Sequence, residues 1–169
     1  MQNTAQRVKP SATNPVVGWL IDPQQCSVTP AAYDGDYRTI YRLCRFDLFT
    51  VVEFGSDALF VDDEGLLKQP RHFFALDGYQ QPLAGCGLML GTDEDGDSVA
   101  PLCSIEEVIA SVHFYEVEWH PLTGKAGLRE RAYDARDPLA NLSPQSQGRW
   151  WPLSSGDFGI KPTWNGRIE

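Results

Sequence analysis

Short apolar runs of strand length dominate the first 120 residues, with two short stretches of helical period between them. Val16–Asp22 (VVGWLID) is nearly continuous and apolar, the form of a strand buried on both faces. Pro23-Gln24-Gln25 turns the chain, and Ser27–Tyr33 returns as a second strand. Asp36 then suits an N-cap. Tyr37, Ile40, Tyr41 and Cys44 recur at helical spacing, with Arg38, Arg42 and Arg45 off that stripe. Leu48–Phe54 and Ala58–Asp62, joined by Gly55-Ser56-Asp57, read as a hairpin. Asp62-Asp63-Glu64-Gly65 closes it with a turn. Leu66–Tyr79 has no clear period, and Pro70 argues against a long helix there.

Leu83–Leu90 reads as a further strand, whose Gly85 and Gly87 suggest a bulge or a close backbone approach. Thr92–Asp97 is a hairpin tip and Ser98–Leu102 its return. Ser104 and Glu107 fit a capping box, opening a helix to about Val112 with Ile105, Val108, Ile109 and Val112 inward. His113–Trp119 is a last strand, with His113 on the face of Tyr115, Val117 and Trp119 and read as a packed residue. The expectation is an α+β fold: an antiparallel or mixed sheet of about six strands with two short helices on one face. Residues 1–15 form a flexible arm, 16–120 the compact domain and 121–169 an irregular extension. That extension has five prolines, yet it also holds Trp150, Trp151, Phe158 and Trp164. Disordered tails are poor in aromatics, so part of it should dock on the body or on a partner.

Charge is uneven along these three parts. Residues 16–120 carry 18 acidic and 5 basic residues, a net of −13, while each flank is +2. An acidic body repels duplex nucleic acid, whose binding needs Lys and Arg against phosphates. A protein partner with a basic, nucleic-acid-holding surface suits it better. No apolar run reaches the ~18 residues of a membrane span. The start MQNTAQRVKPSATNP lacks a signal-type apolar stretch. Cys26, Cys44, Cys86 and Cys103 contain no Cys-x-x-Cys pair, so reduced thiols in a cytoplasmic protein are expected and a zinc site is not.

The segments LIDP (Leu20–Pro23), YDGDYRTIYRL (Tyr33–Leu43), FTVVEF, ALFVDDEGLL (Ala58–Leu67) and PLAGCGLMLGTDEDGDSVAP (Pro82–Pro101) span much of residues 17–114. As a set they resemble a small family of unknown function from bacteria, phages, plasmids and integrated mobile elements. The resemblance implies an accessory protein of a mobile element. It implies no reaction, ligand or catalytic residue.

The residues supply no complete catalytic motif. In Asp93-Glu94-Asp95-Gly96-Asp97, an EF-hand reading with Gly96 at position six puts Gly91 first and Leu102 twelfth, and neither is a ligand. An acidic, solvated turn is the plainer reading. Asp62, Asp63 and Glu64 could join that loop around a hard cation, or simply bond their own backbone. No nucleophile elbow or phosphate loop is present. No cofactor, metal or catalytic residue is expected. In the extension, Arg149, Trp150, Trp151 and Trp164 are the binding candidates, because Trp and Arg dominate interface hot spots.

Three functions follow. The first is a non-enzymatic accessory protein that binds a host protein, with inhibition of a host defence system as one form and nucleic-acid mimicry as a sharper one. A body of 105 residues is about 33 Å across. Duplex of that length carries about 19 charges. Mimicry therefore requires Asp62, Asp63, Glu64, Asp93, Glu94, Asp95 and Asp97 to gather on one face with Glu106, Glu107, Glu116 and Glu118. The second is a small-ligand (nucleotide-like) binding or sequestering domain, its pocket beside Leu83–Leu90. The third is a metal-dependent enzyme using both acidic turns.

Overall fold

Each apolar run read as a strand contains one, but the strands are shared between two sheets. The computed structural model describes residues 8–119 and 126–131, with the backbone of 150–152. In chain order the elements are β1 (Val16–Asp22), β2 (Ser27–Tyr33), α1 (Tyr37–Cys44), β3 (Phe49–Phe54), β4 (Asp57–Asp62), a 3-10 turn (Gly65–Lys68), β5 (His72–Leu76) and β6 (Leu83–Ala84). They continue with β7 (Gly87–Thr92), β8 (Ser98–Val99), α2 (Ile105–Ser111), β9 (Val112–Trp119), β10 (Ala126–Arg131) and β11 (Trp150–Pro152). The first sheet has the order β2-β1-β7-β4-β3, with β8 on β7; the second runs β11-β10-β9-β5-β6. Every pairing is antiparallel.

The α+β class, the antiparallel pairing and the two short helices stand as expected. Two details differ. There are two sheets where one was expected, and the helices lie on opposite faces of the first. Ile40 and Cys44 of α1 pack with Val16, Phe60, Leu88 and Leu90 on one side of that sheet. Val108 of α2 packs with Ile21, Leu59, Val61 and Met89 on the other, together with Phe74, Leu76 and Phe114 of the second sheet. Alternation along a strand shows that it has a buried face, but not what lies against that face. A third cluster, Phe73, Ala84, Tyr115, Ala126 and Leu128, lies on the far face of the second sheet.

Local chemistry explains the helix ends. The Asp36 carboxylate accepts from the Arg38 N–H at 2.9 Å and opens α1. Ser104 Oγ accepts from the Glu107 N–H, and Glu107 Oε2 accepts from the Ser104 N–H, so the predicted capping box is present. β1 is less enclosed than expected: Ile21 is fully buried but Val17 is 46% exposed. The close approach expected near Gly87 is real, since a Cβ there would stand 2.9 Å from the Phe74 ring. Gly18 is tighter still, with its would-be Cβ 2.6 Å from the Met89 carbonyl oxygen.

Both flanks contribute to the body. Residues 8–15, expected as arm, include a Ser11–Asn14 turn; Pro10 lies against Gly35 and Lys9 against Asp95. The extension, expected to be irregular, supplies β10 along β9 and β11 along β10. None of the described helices is long and apolar enough to cross a membrane.

Candidate functional site

The two acidic turns do not form one site. β4 and β7 are antiparallel, with Val61 opposite Gly87 and Asp57 opposite Gly91. Asp62–Glu64 follows one end of this ladder and Asp93–Asp97 the other. The four residue steps between those pairs alone separate the turns by about 13 Å. A cation shared by both turns is therefore ruled out by strand direction.

Each turn is instead organised locally. Asp62 Oδ1 accepts from the Glu64 N–H at 3.0 Å, and its carboxylate pairs with Lys68 Nζ at 3.0 Å. Asp63 and Glu64 are exposed. In the other turn, Asp93 Oδ1 accepts from the N–H groups of Asp95 and Asp97 at 3.0 and 2.8 Å. Carboxylate oxygens of Asp93, Asp95 and Asp97 lie within 4.8 Å of one another. The cation beside them is Lys9, whose ammonium bonds both Asp97 and Asp95. Those hydrogen bonds raise the Lys9 pKa. Glu94 is exposed at the tip. Trp150 and Trp151 lie in β11; their side chains, and Arg149 and Trp164 entirely, lie outside the described residues.

His113 is not simply packed. Its Nδ1 lies 3.0 Å from Glu130 and its Nε2 2.9 Å from Asp77. It ties β9 to β10 and to the turn after β5.

The arrangement with binding geometry is a cleft of about 300 Å³ where four segments end. β1 contributes Asp22 and the Pro23-Gln24 turn; α1 contributes Cys44 and Arg45; the approach to β5 contributes Pro70, Arg71 and His72; the β6–β7 link contributes Gly85 and Cys86. Asp22 is fully engaged: Oδ1 accepts from the Gln24 and Gln25 N–H groups at 2.9 and 3.2 Å, and Oδ2 from Arg45 Nη2 at 2.8 Å. Arg45 caps α1 in the left-handed region, φ 61°, its N–H bonded to the Tyr41 carbonyl. The same Nη2 lies 3.0 Å from Cys86 Sγ. A guanidinium has five N–H donors in a fixed fork. Among the described residues the Nε and Nη1 donors of Arg45 have no partner, and Arg71 has none at all.

The other ionisable groups leave the cleft cationic. Burial lowers the His72 pKa, against the pull of Glu116 3.6 Å away, so the ring is neutral near pH 7. Burial raises the Cys86 thiol despite the Arg45 hydrogen bond, and raises Cys44 further. Both are therefore protonated thiols and poor nucleophiles. With Asp22 against Arg45, the surplus is the single charge of Arg71.

The pattern marked two of the four walls, since LIDP and the glycine-bearing strand both border the cleft. Arg45 reads only as a charge off the apolar stripe of the helix, and no local pattern marks Arg71. No family model, no curated protein and no solved structure matches the chain.

Proposed function

We propose that the protein is a cytoplasmic binding protein for a small organic anion, held in the cleft between Arg45 and Arg71. One observation carries this reading. The other described Lys and Arg side chains each have a partner: Lys9 with Asp97, Arg38 with the Tyr37 ring, Arg42 with Thr39, Lys68 with Asp62, Arg129 with Glu118 and Arg131 with Glu116. Arg71 stands apart from them, unpaired on a cleft wall in a body of strong acid excess.

Two guanidinium edges suit a carboxylate or a phosphate monoester, because their planar forks match oxyanion geometry. Pro23, Pro70, Cys44 and Cys86 supply the apolar part of the lining. Among the described residues the His72 imidazole is the one aromatic ring in the lining, with no Phe, Tyr or Trp beside it, which favours a compact acid over a nucleotide needing a broad stacking platform. Its volume is at the small end for ligand sites. The resemblance to accessory proteins of mobile elements gives this reading a setting, the sequestering of a small host metabolite.

The test is a thermal-shift screen of small carboxylates and phosphate monoesters. A ligand at 100 times its Kd stabilises the native state by about 2.7 kcal/mol. For a chain of this length that raises Tm by about 5–11 °C. Arg71→Ala should abolish the shift while leaving the unliganded Tm unchanged. If no compound shifts Tm, or the shift survives in Arg71→Ala, the reading fails.

A further inference from the structure

The first sheet has two edges, and they differ in kind. β2 carries Pro30 at its centre, exposed. A proline lacks the N–H that an added strand would need, a common way to blunt an edge. β3 at the opposite edge reads FTVVEF, with no proline, lysine or glycine. It pairs with β4 without a bulge, residue for residue from Phe49–Asp62 to Phe54–Asp57.

The direction of its backbone follows from the hairpin. A two-residue turn, Gly55-Ser56, joins β3 to β4, and the Asp63 N–H donates to the Leu48 carbonyl at 3.1 Å. Hydrogen-bonded pairs alternate along an antiparallel ladder. Residues 48, 50, 52 and 54 therefore turn their N–H and C=O groups toward β4. Phe49, Val51 and Glu53 turn theirs outward, where no described strand receives them. Val51 is 47% exposed and Leu48 beside it 45%.

The surroundings of this edge select its occupant. Asp47, Glu53, Asp63 and Glu64 are exposed around β3, and among the described residues none is in an ion pair. A second copy pairing β3 with β3 would bring eight such carboxylates together, and like charges across a junction are repelled. A cationic strand would meet four complementary charges.

We infer that β3 is a docking edge for an extended segment of a partner protein rich in Lys or Arg, added to the first sheet as a further antiparallel strand. Main-chain bonds at Phe49, Val51 and Glu53 supply affinity, and the carboxylates supply selection and a fast, salt-sensitive approach. This inference is independent of the anion cleft.

The experiment is fluorescence anisotropy with the full chain and a labelled peptide alternating lysine with valine, beside a glutamate–valine peptide as control. The lysine peptide should bind and weaken with added salt, and the glutamate peptide should not bind. Val51→Pro should reduce binding by about tenfold or more, because it deletes an outward donor. It leaves the β3–β4 ladder intact, so its circular dichroism and melting curve should remain native. Glu53→Lys with Asp63→Lys should weaken binding with the fold equally intact. The inference is overturned if the lysine peptide does not bind, or binds Val51→Pro as it binds the parent. It is also overturned if sedimentation shows a dimer that Val51→Pro disperses, since the occupant is then a second copy.

Discussion

Asp57 offers the sharpest test of how the body is held together. It begins β4, is 4% exposed, and divides its carboxylate between two backbone donors. Oδ1 accepts from the Leu102 N–H and Oδ2 from the Cys103 N–H, both at 2.8 Å. The Cys103 carbonyl in turn accepts from Trp19 Nε1 at 2.9 Å. One buried side chain thus fixes the segment that leads into α2. A hydrogen bond to a charged group contributes about 1.5–3 kcal/mol. Two such bonds bound the cost of Asp57→Ala at about 3–6 kcal/mol, and water reaching the loop places the expected value near 4. Asp57→Asn keeps one acceptor but sets an amide donor against the second N–H, for about 2–3 kcal/mol. Urea denaturation should rank wild type above Asp57→Asn above Asp57→Ala with a common m value. Hydrogen exchange should show protection lost first at residues 102 and 103 in both variants. An Asp57→Ala protein within about 0.5 kcal/mol of wild type would show that these two bonds do not hold the segment, because that is the cost of an ordinary surface change.

Three further outcomes are expected. Gly18→Ala places a Cβ 2.6 Å from a backbone oxygen and should cost about 2–3 kcal/mol in the same urea assay, the upper range for overpacking. Ser104→Ala removes one half of the capping box and should cost about 1 kcal/mol, read as a lower urea midpoint. Burial holds the folded pKa of His72 below its unfolded value, so its stabilising share is present above about pH 6.5 and is lost as pH falls toward the folded value. The urea midpoint of His72→Gln should fall less than that of wild type between pH 7.5 and about 5.5; parallel profiles would contradict this.

The local elements are written in the sequence and their assembly is not, for identifiable reasons. Asp36, Ser104 and Glu107 act on groups two or three residues away, so their roles are written in spacing. Gly87 was marked for close approach because a glycine within an apolar strand has few other uses. Asp57, by contrast, read as part of a hairpin turn, since its donors lie 45 and 46 residues downstream. β5 was invisible because HFFAL is five residues long and lies between Pro70 and Gly78, too short to show a period. The acidic turns looked alike in sequence, and only the antiparallel direction of β4 and β7 sets them apart. The cleft draws on positions 22, 45, 71 and 86, whose meeting no local pattern encodes.

The order in which the chain visits its two sheets limits how it can be made. It builds β1 to β4 of the first, leaves for β5 and β6 of the second, returns for β7 and β8, and leaves again for β9 to β11. β1 must wait for β7, and β5 for β9. Pairings of such long range fold slowly, because loop closure precedes any reward. Every cut between residues 22 and 112 parts β1 from β7, β5 from β9, or both, so no single break in that span leaves both sheets whole.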